Sequence, residues 1–502
     1  MYAAITSSAL SGTSGAPMIV EAHIGPGIPG FTVVGLPDEG CRESRDRVRA
    51  ALLSSGLAWP NKRITINLVG AGERRGGAGM DLAIAMAILV ASDVVTQERV
   101  SNVAFIAELG LDGSLRPTHG MAPLVAAVSD HEVVVAASAA EEAALARAPR
   151  VRTISSLAEL LHVLTTATGW PVCEVSAPRV FDEELPDMAD VRGQMVARLA
   201  LEVAAAGFHH LMMVGPPGAG KSMLAKRLPG LLPRLNEDEA FTVALTRSAA
   251  GLPVDADLVT SPPFRAPHHS ISMIGMIGGG STQLRPGEIT LASEGVLFLD
   301  EMGEFAPTVL DALRQPLEDQ VVRISRAQHS VTMPARFLLV AATNPCPCGG
   351  ATPMGCTCPP SAVQRYVRRF SGPLLDRFDL RIQLVRTATS ELTSTARSES
   401  SAVIAERVAR VHETALARQG CMNAHIGPEI LDEVAPLDSE ALAALRGWLD
   451  NGSLSGRGYH RVRRVARTLA DLEGHDGAIT RRFVDAAVSL RCPVRTDAAS
   501  LR

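Results

Sequence analysis

The residues best placed to do chemistry form one contiguous run, Gly215-Pro216-Pro217-Gly218-Ala219-Gly220-Lys221-Ser222. It fits G-x-x-x-x-G-K-[ST], the loop whose backbone N–H groups cradle nucleotide phosphates. In this pattern Lys221 reaches the β- and γ-phosphates and Ser222 ligates Mg²⁺. Only Lys62, Lys221 and Lys226 are lysines among 48 basic residues, so composition alone does not put a lysine here. A compact ammonium suits the site where a planar guanidinium does not. About 75 residues on, Val296-Leu297-Phe298-Leu299 runs into Asp300-Glu301. That is the pattern of a Walker B strand, in which Asp300 holds Mg²⁺ through water and Glu301 polarises the attacking water. A third cluster, Cys346-Pro347-Cys348 with Cys356-Thr357-Cys358, sits in a Gly/Pro-rich loop. Four thiolates from two short turns suit a closed, structural tetrahedral zinc, and free thiols are the alternative.

The elements around these residues read consistently. Leu211-Met212-Met213-Val214 is an apolar run of buried-strand type, and Met223-Leu224-Ala225-Lys226-Arg227-Leu228 continues as the helix whose N-terminus faces the phosphates. Residues 1–165 alternate short β-like runs with helical stretches and form an α/β or α+β domain. Residues 166–188 carry Pro171, Pro178, Pro186 and the acidic Asp182-Glu183-Glu184, and read as a linker. A motor domain follows over 189–385. The Ser/Thr-rich 386–402 reads as a flexible connection and 403–495 as helical.

Composition bounds the function. A chain of 502 residues accommodates about three domains. The hydrophobic fraction of 46% and charged fraction of 20% are those of a globular protein, and the net charge of -5 excludes a uniformly basic nucleic-acid binder. The longest apolar run, residues 82–91, is too short to span a bilayer, and the N-terminus lacks the charged region of a signal peptide, so a cytoplasmic protein is expected.

Gly35-Leu36-Pro37-Asp38, the run from Glu43 through Arg45, Arg47 and Arg49 to Leu52, and Gly110-Leu111-Asp112-Gly113-Ser114-Leu115-Arg116-Pro117 resemble the N-terminal domain of the ComM/YifB family, magnesium-chelatase-like AAA+ ATPases. The resemblance implies an S5 domain 2-like, Lon-protease-like α+β domain, then a P-loop AAA+ α/β core with a parallel sheet, then a C-terminal helical lid. It also assigns further residues. Asn344, after the strand-like run from Phe337 to Ala342, resembles sensor 1. Arg377, in Ser371-Gly372-Pro373-Leu374-Leu375-Asp376-Arg377-Phe378-Asp379, resembles an arginine finger that acts across a subunit interface. Arg457, in Leu454-Ser455-Gly456-Arg457, resembles the nucleotide-touching sensor 2, with Arg461 its nearby substitute and a solvated basic face the plain reading.

Two segments resemble insertions of this clade, the long loop over 264–288 and a β-hairpin around Arg326-Ala327-Gln328-His329. Six copies around a ring axis would bring Arg265, Arg285, Arg323 and Arg326 together against DNA. His268 and His269 read as ordinary loop histidines, with metal binding the less favoured reading. The implied function is an ATP-hydrolysing hexameric motor on single-stranded or branched DNA, in branch migration during uptake or recombination. A magnesium-chelatase-like protein remodeller is the alternative. A Lon-type protease is disfavoured, because Gly79 and Leu124 stand where the nucleophilic serine and its lysine belong.

Overall fold

The computed structural model describes residues 1–35, 39–70, 78–166, 169–171, 185–254, 260–280, 284–326, 329–350, 356–393 and 398–491. Residues 36–38, the Arg74–Arg75 pair and the acidic cluster at 182–184 lie outside them, as does the side chain of Arg326.

The first sheet is seven-stranded and mixed. Its order is Gly30–Val34, Arg63–Gly70, Ser14–Gly25, Tyr2–Ser11, Val103–Ile106, Glu132–Ala136, Val151–Ile154. Helix Asp81–Ala91 packs on Tyr2–Ser11 and Ser14–Gly25, and all of its residues are buried. The apolar run that is too short for a membrane is therefore a core helix. Its one charge, Asp81, is fully buried and accepts hydrogen bonds from Ser44 Oγ, from Arg47 Nε at 2.6 Å and from Arg47 Nη2 at 3.1 Å. Arg47 belongs to the Arg-rich family motif, whose role at this position is thus to bolt helix Glu39–Ser54 onto the core helix. Removing one partner of a buried pair leaves the other charge uncompensated. Arg47→Ala is expected to destabilise the N-terminal domain by about 3–5 kcal/mol, read as an earlier transition in denaturant titration.

The second sheet has five strands, all parallel, in the order Phe264–Arg265, Val296–Leu299, Leu338–Thr343, Leu211–Val214, Leu380–Gln383. A parallel sheet is covered on both faces, so its strands read as continuous apolar runs. The period of two survives inside them. Leu211, Met213, Val296, Phe298, Leu338 and Val340 face one core, while Met212, Leu297, Leu299, Leu339 and Ala341 face another. The first of these cores also contains Ile404, Val408 and Val411 of helix Ser401–Gln419 and Val462, Val465 and Ala466 of helix Gly456–Leu472. The C-terminal helices thus complete one face of the nucleotide-loop sheet.

Two serines at the end of the stretch expected to be a flexible connection, 386–402, are bonded to the segment that precedes the P-loop domain. Ser398 Oγ donates to the Val191 carbonyl, Ser401 Oγ accepts from Met188 N–H, and Gln194 Nε2 donates to the Val385 carbonyl. A short helix, Thr389–Leu392, lies within the stretch. The N-terminal domain also touches the motor directly. Glu142 accepts from the Met121 N–H and from Ser248 Oγ, and the turn at Gly12 packs against Val331 and Met333.

Candidate functional site

All strands of the second sheet run in parallel, so their C-terminal ends form one edge, where α/β proteins bind ligands. Strand Leu211–Val214 delivers the P-loop there, Val296–Leu299 delivers Asp300 and Glu301, and Leu338–Thr343 delivers Asn344. Gly218 and Gly220 adopt φ of +78° and +88°, the left-handed region that lets the loop curl with its N–H groups inward. Lys221 is 9% exposed, and burial pushes its pKa down. Its three donors are all used: Nζ donates to the Gly215 and Pro216 carbonyls at 2.6 and 3.0 Å and to Asn344 Oδ1 at 3.0 Å. Ser222 Oγ donates to Asp300 Oδ2 at 2.6 Å. A hydroxyl and a carboxylate side by side are the hard oxygen donors that Mg²⁺ takes beside phosphate oxygens.

Glu301 has φ of +51°, a left-handed conformation uncommon for a residue with a side chain and often found where function fixes the backbone. Its carboxylate lies 3.7 Å from His269 Nδ1, and His269 stacks on His268 with ring centroids 4.0 Å apart. The sequence reading treated both histidines as plain loop residues. A contact across some thirty residues leaves no local signal.

Arg377 lies at the other edge. It precedes strand Leu380–Gln383, whose first residue pairs with Leu211. Four residues of strand, roughly 13 Å, separate this end from the P-loop end. The Arg377 guanidinium donates to Glu318, and the Arg461 guanidinium donates to the Arg377 carbonyl at 3.0 Å and to Asp379. Asp379 also pairs with buried His209, 3.1 Å away. Burial pushes the Asp379 carboxyl up, but Arg461 and His209 outweigh it and hold it well below the usual carboxylate range. This network was missed in the sequence. It fixes the backbone that carries Arg377 and lines a cavity of about 440 Å³ with His210, His425 and Arg464.

Arg457 is exposed in the first turn of helix Gly456–Leu472, and Arg461, one turn on, bonds to the edge that carries Arg377. Arg265, expected to meet DNA, is paired within the chain. Its guanidinium forms a two-pronged pair with Glu288 at 2.7 and 2.8 Å, so its charge is neutralised within the chain. Arg285 is exposed on the two-stranded ribbon formed by Gly278–Gly279 and Arg285–Pro286. Arg323 stands half-exposed on the hairpin Val321–Arg326/His329–Pro334, and its guanidinium donates to Asp319.

The four cysteines converge: their sulfurs all lie within 4.8 Å of one another. Cys346 Sγ is 3.4 Å from that of Cys348 and 3.5 Å from that of Cys356, and the Cys348–Cys356 separation is 3.8 Å. Tetrahedral zinc with bonds of about 2.3 Å requires sulfurs about 3.8 Å apart, so this donor set can hold a metal of that kind. The backbone N–H groups of Gly350 and Thr357 hold the Cys348 thiol down to about 5, whereas burial pushes the Cys346 thiol up to about 12. His268 and His269 belong to no metal-ligand cluster among the described residues.

The two positions on which the proteolytic alternative depends are both packed. Gly79 is packed so that a Cβ would stand 2.9 Å from Thr118, and Leu124 is a core residue. Among the described residues no helix is long and apolar enough to cross a membrane.

Three family descriptions match the chain: magnesium chelatase, subunit ChlI, over residues 187–392; subunit ChlI of Mg-chelatase over 20–139; and the ChlI C-terminal region over 398–491. The chain is 44% identical over 476 residues to an uncharacterized protein of Mycobacterium tuberculosis, Rv2897c, covering 93% of this chain and 94% of that one. It is 40% identical over 488 residues to competence protein ComM of Haemophilus influenzae, covering 96% of each. It is also 40% identical over 489 residues to uncharacterized protein YifB of Escherichia coli, covering 96% of this chain and 95% of that one. A shorter stretch of 185 residues, 37% of this chain and 24% of the other, is 26% identical to a probable DNA helicase, MCM9, of Arabidopsis thaliana. With a mixed α/β architecture and matches of this length, the chain belongs to the ComM/YifB family of magnesium-chelatase-like proteins.

Proposed function

We propose that this protein is an ATP-hydrolysing AAA+ ring motor that acts on DNA, as a helicase or branch-migration enzyme in DNA uptake or recombination. One observation carries the motor reading: Lys221, Ser222, Asp300, Glu301 and Asn344 share one sheet edge, while Arg377 stands at the opposite edge. A finger that cannot reach its own nucleotide serves a neighbour's, and repetition of such a head-to-tail interface closes a ring. Arg457, in the first turn of the helix that carries Arg461, touches the nucleotide. Residues 215–220 hold the phosphates with Lys221, and Ser222 and Asp300 hold Mg²⁺. Glu301 takes the attacking water, Asn344 bonds the γ-phosphate, and Cys346, Cys348, Cys356 and Cys358 hold a structural zinc.

The relatives named a competence protein and a probable DNA helicase support DNA as the substrate. So does the hairpin that carries Arg323 and Arg326, whose base is held in the core by Val322, Val331 and Met333. On a protein of net charge -5 the contact must be local, and six copies of Arg285, Arg323 and Arg326 around one axis supply it.

The test replaces Arg323 and Arg326 with Ala together. DNA affinity should fall and its salt dependence flatten by about one unit of slope per lost contact, DNA-stimulated ATPase should disappear, and hydrolysis without DNA should persist. Wild-type protein that neither binds DNA nor responds to it in the presence of ATP would instead favour a protein remodeller of the magnesium-chelatase kind.

A further inference from the structure

We infer that the four-cysteine site is a brace for the phosphate-binding loop, so that metal bound there sets the affinity of the nucleotide site. The inference rests on the zinc reading above. Residues 346–350 form one tight turn. The Gly349 N–H donates to the Cys346 carbonyl at 3.0 Å, the Gly350 N–H donates to Cys348 Sγ at 3.4 Å, and Cys346 Sγ donates to the Gly350 carbonyl at 3.5 Å. Gly349, at the bend, is buried with φ of +73°, and a Cβ placed on it would stand 2.7 Å from both Cδ and Cγ of Pro217. The bend therefore meets the P-loop ring with no space for a side chain. The same stretch is tied to the loop a second time. Cys346 follows Asn344 by two residues, and Asn344 Oδ1 accepts from Lys221 Nζ at 3.0 Å.

The position of two sulfurs and the position of the wall behind Pro217 are thus set by five consecutive residues. Four sulfurs this close are held cheaply only around a cation, because thiolates repel one another and thiols make weak hydrogen bonds. Metal loss lets the turn open, and opening withdraws Gly349 from Pro217 and loosens the Asn344–Lys221 contact. A phosphate-binding loop that must be ordered at the moment of binding binds more weakly than one ordered beforehand. Linkage also runs in reverse: nucleotide must tighten the metal by the factor by which metal tightens the nucleotide.

The experiment uses the full chain purified with reductant, its zinc content measured per chain. The dissociation constant of a fluorescent ADP analogue is measured with Mg²⁺ before chelation, after chelation and after zinc is restored. Chelation should weaken nucleotide binding roughly tenfold, within the 5- to 150-fold range of coupled sites. Zinc should restore it, and MgADP should raise zinc affinity, measured against a competing chelator, by the same factor. Should the stripped protein unfold, Gly349→Ala decides. It keeps all four sulfurs but strains a turn held at φ of +73° and drives a methyl group toward Pro217, so zinc and nucleotide should both bind several-fold more weakly. Stoichiometric zinc whose removal leaves a folded protein with unchanged nucleotide affinity overturns the brace alone, as does a Gly349→Ala variant that binds both as wild type. Protein that contains no zinc and takes up none on titration overturns the zinc reading and the brace together.

Discussion

Glu301→Gln is expected to bind MgATP as tightly as wild type and to hydrolyse it about 10²- to 10⁴-fold more slowly, the range that a positioned general base supplies. Lys221→Ala should fail at the earlier step, with nucleotide affinity reduced roughly 100-fold or more, since each charge-assisted hydrogen bond to phosphate contributes about 1.5–3 kcal/mol. The division follows from the geometry. Lys221 sits within the loop, its three donors aimed at the Gly215 and Pro216 carbonyls and at Asn344, and a phosphate oxygen need only replace one of these neutral acceptors. Glu301 lies past the hydrogen-bonded pair Ser222 and Asp300, held by a left-handed backbone with its carboxylate toward His269. Equilibrium binding of a fluorescent nucleotide together with phosphate release separates the two steps. Wild-type turnover by Glu301→Gln would remove that residue from the water-polarising role.

How much of this was legible in the sequence follows from how local each signal is. The P-loop is contiguous, and the Walker B and sensor strands keep a period of two within runs that are apolar throughout, so these parts read directly. Arg265 illustrates the opposite case. Basic residues in a long glycine-rich loop resemble a nucleic-acid contact, but the loop folds back so that Glu288, 23 residues on, meets the guanidinium, and no local pattern encodes that pairing. A separation of 34 residues hid Asp81 from Arg47, and a comparable one hid Glu301 from His269. In the 386–402 stretch composition says little about contacts: serine and threonine suit solvated linkers, yet a hydroxyl is equally able to satisfy a backbone group of a neighbouring segment, as Ser398 and Ser401 do at Val191 and Met188. In helix Gly456–Leu472 the spacing of the arginines does not show which of them meets a partner, and it is Arg461 that meets Asp379.

That edge supports the second large effect. Arg377→Ala subunits are expected to bind ATP normally yet hydrolyse it about 10³- to 10⁵-fold more slowly, the range attributed to arginine fingers. The binding half follows because nothing on the P-loop edge contacts Arg377: its guanidinium meets Glu318, and its backbone is held by Arg461. The hydrolysis half follows if the charge that develops on a γ-phosphate is offset from the next subunit. Mixing tests this directly. In a ring of Arg377→Ala and Lys221→Ala subunits, one type of interface joins a wild-type P-loop to a wild-type finger, because each variant supplies what the other lacks. Two inactive preparations should therefore regain hydrolysis on mixing, with a maximum near equal proportions, where such interfaces are most frequent. Size-exclusion chromatography of each variant first establishes that both assemble. Variants that assemble yet show no recovery at any ratio would place the catalytic arginine elsewhere. Arg461→Ala provides the internal comparison. It leaves the Arg377 side chain in place but removes the hydrogen bond to its carbonyl and to Asp379, so it should slow hydrolysis by less than Arg377→Ala, and mixing with Lys221→Ala subunits should restore it, because the intact finger then comes from the Lys221→Ala subunit.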